Sequence, residues 1–250
     1  PDSAVKESQQ RIKAAFSNND FRFPGKEITI NMAPADVRKE GSVFDLPIAI
    51  GILASSDQLP NDKLGDYIVL GELSLDGKLN RLKGVLPIAL NAKKDGFKGI
   101  VLPRENAKEA AMVDGLEVYP VDHLQEVVNF FKDQTTIEPY SIDVEKIFNQ
   151  AIQQSDIDFK DVKGQLAIKR AFEIAAAGGH NVILIGPPGS GKSMLAKRLP
   201  TILPPLSIQE SLDSTKIHSV VGRLSSESGL ITERPFRKPH HTISDVALVG

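Results

Sequence analysis

Residues Gly186-Pro187-Pro188-Gly189-Ser190-Gly191-Lys192-Ser193 carry the densest chemical signal in the chain. They fit G-x-x-x-x-G-K-[ST], a spacing that cradles nucleotide phosphates with backbone N–H groups. Glycines at 186, 189 and 191 let the backbone turn where a Cβ would clash, and leave room for phosphate. Lys192 is placed to reach the β- and γ-phosphates, and the Ser193 hydroxyl to bind Mg²⁺. ATP and Mg²⁺ are therefore the expected cofactors. All eight residues are expected binding residues, Lys192 and Ser193 carry the chemistry, and Ser193 is the metal contact.

Such a loop must sit between a strand and a helix. Asn181 to Ile185 is a short apolar run of the length of a buried parallel strand, and Met194 to Leu199 suits a helix. The helix N-terminus adds partial positive charge where the phosphates would lie. Upstream, Asp161-Val162-Lys163-Gly164-Gln165 leads into a helix from Leu166 to Ala177, closed by Gly178-Gly179. Downstream, Pro200 and Pro204-Pro205 break the chain before a short helix near Ile208 to Leu212. Leu230 to Thr232 and Ile243 to Val249 read as strand material.

The first half alternates strand and helix patterns. Helices are expected over Ser3 to Phe16, Phe44 to Ala54, Gly84 to Lys94 and Arg104 to Val113, with a last one capped by Asp122 and running through Phe131. Strands are expected over Lys26 to Met32, Tyr67 to Leu73, Gly99 to Leu102 and Leu116 to Val121, with Asp76-Gly77 as a hairpin turn. Together they make a mixed α+β domain of about 130 residues. Lys132 to Tyr140 loses the apolar period, and a short helix is expected over Asp143 to Gln154. The expected division is a first domain at 1–131, a linker at 132–155, and an α/β nucleotide-binding part at 156–250.

Composition narrows the classes. Net charge is −2 and the pI about 6.3, so no overall basic field announces nucleic acid. The chain has no cysteine, which excludes disulfides, thiolate zinc sites and a cysteine nucleophile. The longest apolar run, Leu46 to Ala54, falls short of the ~18 residues of a membrane span. With no signal peptide visible, a cytoplasmic protein without a membrane partner is expected. Pro1 in place of an initiator Met, and a run still open at Gly250, read as a piece of a longer protein.

Two resemblances meet in this chain. From Asp158 to Gly250 it resembles the AAA+ module of magnesium-chelatase-like ATPases. The residues that carry this are 161–165, 175–181, the glycine-rich loop, and Arg234-Pro235-Phe236-Arg237-Lys238-Pro239-His240-His241-Thr242-Ile243-Ser244. From about Pro1 to Phe131 it resembles the proteolytic domain of Lon, a ribosomal S5 domain 2-like fold. Gly71 to Gly77, Gly99 to Asn106 and Tyr119 to His123 carry that likeness. A Lon-like domain followed by the first part of a P-loop AAA+ α/β module is the arrangement of the ComM/YifB family. The resemblance implies a ring-forming ATPase, hexameric when full-length, that acts on DNA during branch migration in transformation and recombination. A non-catalytic nucleotide-binding scaffold and a magnesium-chelatase-type subunit stay open as alternatives.

Two further clusters bear on activity. Lon-type cleavage pairs a serine with a lysine. Laid on that pattern, the lysine position falls at Ile88 and the serine position at Phe44 or Asp45, so no peptidase activity is expected. Ser42, with Lys78 or Lys83, is the shifted pair that would reverse this. Arg234, Arg237 and Lys238 are candidate DNA contacts, since phosphates need little beyond Lys and Arg. A solvated basic hairpin, or basic residues pairing with carboxylates, explains them equally well. Adjacent His240 and His241 lack chelating spacing. No apolar run ending in Asp-Glu follows the loop, so the acid that would orient Mg²⁺ and water is expected outside these residues. The chain is accordingly expected to bind ATP without turning it over.

Overall fold

The computed structural model describes residues 3–31, 42–152, 157–224 and 229–238. The chain divides into two compact units, one of residues 1–143 with 215–229, the other of 144–214 with 230–250.

The first unit is mixed α/β. A parallel sheet has the order β1 (Tyr67–Val69), β4 (Gly99–Pro103), β5 (Glu117–Val121), with Val69 opposite Val101 and Val101 opposite Tyr119. Every residue of β4 is buried, as a central parallel strand covered on both faces requires. On one face, Val101, Tyr119 and Val121 pack with α1 (Ser3–Asn18), α2 (Asp45–Ser55) and α5 (Leu124–Phe131), through Phe16, Leu46, Leu53 and Val128. Ile100, Leu102 and Val118 alternate to the other face, on the side of α3 (Val85–Lys94) and α4 (Ala107–Ala110). Each fully buried Leu or Phe contributes about 1.5–3 kcal/mol.

Several expected elements differ in detail. The run from Tyr67 to Leu73 is two strands, because the backbone leaves the sheet at Gly71. There Gly71 N–H donates to Val43 O at 3.2 Å and Leu46 N–H to Gly71 O at 2.9 Å. A Cβ on Gly71 would lie 2.9 Å from Leu79 and 3.0 Å from Leu46. β2 (Glu72–Leu73) then pairs antiparallel with β3 (Leu79–Asn80) across the Asp76-Gly77 turn, where Gly77 has φ +92°. The expected helix over Arg104 to Val113 is a short 3₁₀ turn followed by α4. Asn106, fully buried, turns inward and bonds both the N–H and the carbonyl of Leu82. Asp122 does not cap α5. His123 does, its Nδ1 accepting from Gln125 N–H at 3.2 Å, while Asp122 pairs with Arg104 at 2.6 Å.

The described part of Lys26 to Met32, residues 26–31, forms no strand with any other described segment, and Met32 lies outside the described residues.

Among the described residues of the second unit, α6 (Val144–Ile152), α7 (Leu166–Gly178), α8 (Lys192–Arg198) and residues 208–214 of α9 (Ile208–Val220) are the α-helical elements. Among the described residues its core is Phe159, Val162, Phe172 and Leu195, with Leu184, Met194, Leu199 and Ile202 against them. Gly179, φ +62°, ends α7 in the left-handed conformation, as its glycine pair suggested. Asn181 to Ile185 is not a strand. A parallel strand exists only through hydrogen bonds to neighbours, and no described segment pairs with it. Ile183 and Ile185 are 83% and 88% exposed. Leu230 to Thr232 is not strand either, the Ile231 carbonyl accepting instead from Ser211 Oγ, and 243–249 lies outside the described residues.

Candidate functional site

The glycine-rich loop closes on itself. Gly189 and Gly191 take φ of +80° and +85°, a region closed in practice to most side chains. Gly186 has an ordinary φ, but a Cβ there would lie 3.1 Å from Ser190 Oγ. Ser190 N–H donates to Pro187 O at 3.3 Å, which tightens the turn. Gly191 is the N-cap of α8 and accepts the first helical bond from Leu195 N–H at 3.0 Å.

Lys192 opens α8 and turns back over the loop. Its Nζ donates to Gly186 O at 2.8 Å, Pro187 O at 2.7 Å and Ser190 Oγ at 3.2 Å. The ammonium's three donors are thus held at the mouth of the glycine turn, ready to be exchanged for phosphate oxygens. Ser193, one residue on, is exposed. Narrow glycine backbone, a fixed cation and a free-standing hydroxyl fit a nucleotide phosphate chain with its Mg²⁺.

Two anchors hold α8. Leu195, 2% exposed, packs into the core with Phe159 and Phe172. Arg198 donates from Nε to Asp158 O at 3.0 Å and from Nη2 to Asp161 Oδ2 at 3.3 Å. Asp158 caps the 3₁₀ turn at Phe159–Asp161 in a reciprocal capping box with Asp161. The Lys160 N–H lowers the Asp158 carboxyl pKa, and the Asp158 N–H, with Arg198 behind it, lowers that of Asp161. Gln165 takes φ +52°, and its amide nitrogen lies 3.9 Å from where a Cβ on Gly191 would be. Arg198 and Asp158 were not singled out from the sequence. They are 40 residues apart, and no spacing rule joins them.

The other candidates are less united. Arg234 is committed within its own unit, donating to Pro204 O at 2.8 Å and standing 3.8 Å from Glu210. Arg237 and Lys238 are exposed, while His240 and His241 lie outside the described residues. Of the three basic residues, Arg234 is therefore the engaged one.

At the Lon-type dyad positions, Ile88 is half-buried in α3 and Phe44 is the N-cap of α2. Asp45 is 1% exposed and fully engaged: Ser8 Oγ donates at 2.5 Å, Arg11 at 2.7 and 3.1 Å, and Leu73 N–H at 3.3 Å. Ser42 donates to the Glu72 carboxylate, not to the lysine amine that a Lon-type dyad uses. Lys78 pairs with Asp76 at 3.2 Å, and Lys83 lies along Gly222.

Comparison with known proteins bears on both units. The family described as Subunit ChlI of Mg-chelatase matches residues 1–106, and Magnesium chelatase, subunit ChlI matches 158–250. YifB of Escherichia coli is 44% identical over 251 residues, covering 100% of this chain and 48% of its own. Competence protein ComM of Haemophilus influenzae is 41% identical over 254 residues, covering 100% of this chain and 49% of its own. The chain belongs to the ComM/YifB family. It spans about half the length of those relatives, 48–49%. Lon protease 2 of Bacillus subtilis is 26% identical over 147 residues, 58% of this chain and 26% of that protein, in keeping with a Lon-like first part of the ComM/YifB fold. Magnesium-chelatase-like proteins use nucleotide and Mg²⁺ in general and usually oligomerise. Among the described residues, no helix is long and apolar enough to cross a membrane.

Proposed function

We propose that residues 186–193 bind ATP with Mg²⁺, and that the full-length protein uses this site as a DNA-processing ATPase working as a ring. The observation that carries the reading is the position of Lys192: its ammonium is drawn over a turn whose glycines leave room for phosphate. Bound nucleotide would supply the phosphoanhydride whose hydrolysis drives work. On this chain, Lys192 would neutralise phosphate charge, Ser193 would hold the metal, and the backbone N–H groups of 189–193 would donate to the phosphate oxygens. Membership of the ComM/YifB family supports the DNA role, through the competence name of one relative.

Residues 156–250 are the first part of the ATPase, 132–155 a linker, and 1–131 a Lon-like domain without peptidase activity. This stretch alone binds nucleotide and does not turn it over, because no apolar run ending in Asp-Glu, which would orient Mg²⁺ and water, follows the loop among these residues. Arg237 and Lys238, with Arg234 released from Glu210, are the proposed DNA contacts.

The test is titration of the chain with a fluorescent ADP analogue with and without Mg²⁺, then ATP hydrolysis by the full-length protein on branched DNA. Binding lost in Lys192→Ala, and hydrolysis raised by branched DNA, are expected. Equal binding by Lys192→Ala would remove the site, and hydrolysis indifferent to DNA would remove the motor.

A further inference from the structure

The first unit is not one continuous stretch of chain, since residues 215–229 are part of it. Its hold on them is specific. Ser219, 2% exposed, donates its hydroxyl to Glu109 Oε1, and its carbonyl accepts from Gly84 N–H at 3.1 Å. Glu109 is only 7% exposed and also accepts from Leu86 N–H, in the first turn of α3, at 3.0 Å. Arg81 donates to the Leu224 carbonyl. Gly222, φ +68°, terminates α9 beside Lys83, and a Cβ there would fall 2.7 Å from the Lys83 Cδ.

A carboxylate this deeply buried needs donors to its oxygens, and the half-buried Gly84 N–H needs an acceptor. Residues 215–224 fill both. The donors and acceptors on each side are matched in pairs, and Gly222 takes a φ of +68° where a side chain would be strained and would press on Lys83. These are the marks of a recognition surface rather than of chance contact.

We infer that the first unit is a docking module: the surface formed by Arg81, Gly84 and Glu109 is a receptor for residues 215–224 of the same chain, recognised through Ser219 and Gly222. This is a use of the Lon-like fold that needs no catalytic dyad. It holds whether or not the glycine-rich loop binds nucleotide.

The experiment uses the whole chain with a specific protease site inserted between Ser141 and Ile142, in the exposed stretch after Tyr140. After cleavage, the fragments should co-elute on gel filtration, with an affinity readable by dilution. Ser219→Ala and Glu109→Gln should each weaken that association about 10- to 100-fold, the scale of a hydrogen bond to a charged group. Gly222→Val should abolish it, and Val221→Ala, at a 56% exposed neighbour, should leave it intact. Far-ultraviolet circular dichroism of each uncut variant reports folding. If Ser219→Ala fails to fold, Glu109→Gln reads the same contact from the other side. Faster exchange of the Gly84 and Leu86 amides in the uncut variants is the second expected readout. Fragments that separate with the native residues, or an association and amide exchange unmoved by Ser219→Ala and Gly222→Val, would overturn the inference.

Discussion

Asp45→Ala should be among the most damaging single changes in the first unit. The carboxylate is 1% exposed and accepts four hydrogen bonds, two from Arg11 and one each from Ser8 and Leu73 N–H. It also stands in the first turn of α2, where negative charge interacts favourably with the helix dipole. Removing it leaves Ser8, at 6% exposure, and the Leu73 N–H without a partner, and strips Arg11 of its counter-ion. Breaking a buried pair by deleting one member costs about 3–5 kcal/mol. The Arg11 side chain is 25% exposed and recovers some water, so the lower half of that range is expected. At roughly 2–4 °C per kcal/mol for a unit of this size, the melting point should fall by about 6–16 °C. Asp45→Asn should cost less, since it keeps an acceptor, and Arg11→Ala should be non-additive with it in a double-mutant cycle. The assay is thermal unfolding of the whole chain followed by circular dichroism. The Arg11 pKa is raised, first by its hydrogen bond to Asp45. A raised cation contributes fully below its unfolded pKa and is lost only as pH climbs through the folded one. The Arg11→Ala penalty should therefore be flat from pH 6 to 9. An Asp45→Ala protein within 0.5 kcal/mol of native would refute this reasoning.

Arg198→Ala should weaken nucleotide binding about 3- to 10-fold without touching the ligand, because it frees α8 from the turn at Asp158–Asp161. Arg198→Lys should restore only part of it, and calorimetric titration of both variants reads the difference. Of the basic residues, Arg237→Ala with Lys238→Ala should flatten the salt dependence of DNA binding more than Arg234→Ala, since Arg234 is engaged with Pro204 and Glu210. Equal slopes in the full-length protein would contradict that ranking. The lowered carboxyl pKa values of Asp158 and Asp161 contribute stability above the unfolded value, lost as pH falls through the folded one. Nucleotide affinity should therefore hold steady from pH 8 to 5 and fail only below about 4, near the ordinary carboxylate range; a loss centred at pH 6 would mean another group is in control.

Local pattern carried much of the first unit. α2 was legible because Leu46 to Ala54 is apolar on nearly every face and Pro47 sits in the first turn, where its missing N–H costs nothing. β4 and β5 were legible as short apolar runs, and the hairpin as Asp76-Gly77, because glycine is needed where φ is +92°. The glycine-rich loop could be read because its eight residues are contiguous and their types follow from the backbone geometry of phosphate binding.

What the residues alone determined was therefore whatever depends on neighbours in the chain: helix periodicity, turn chemistry, the loop's glycines. The rest needed partners far away in sequence. Asn181 to Ile185 has the composition of a strand, yet a strand is a set of hydrogen bonds to other segments, and none of the described ones supplies them. Asn106 shortened a helix by reaching Leu82, 24 residues back. Asp45 became a buried structural carboxylate only because Arg11 lies 34 residues away on α1. The joining of Glu109 to Ser219, 110 residues apart, left no periodic trace. Long-range pairing of single polar groups has no repeat for a sequence to display, and only the folded chain decides it.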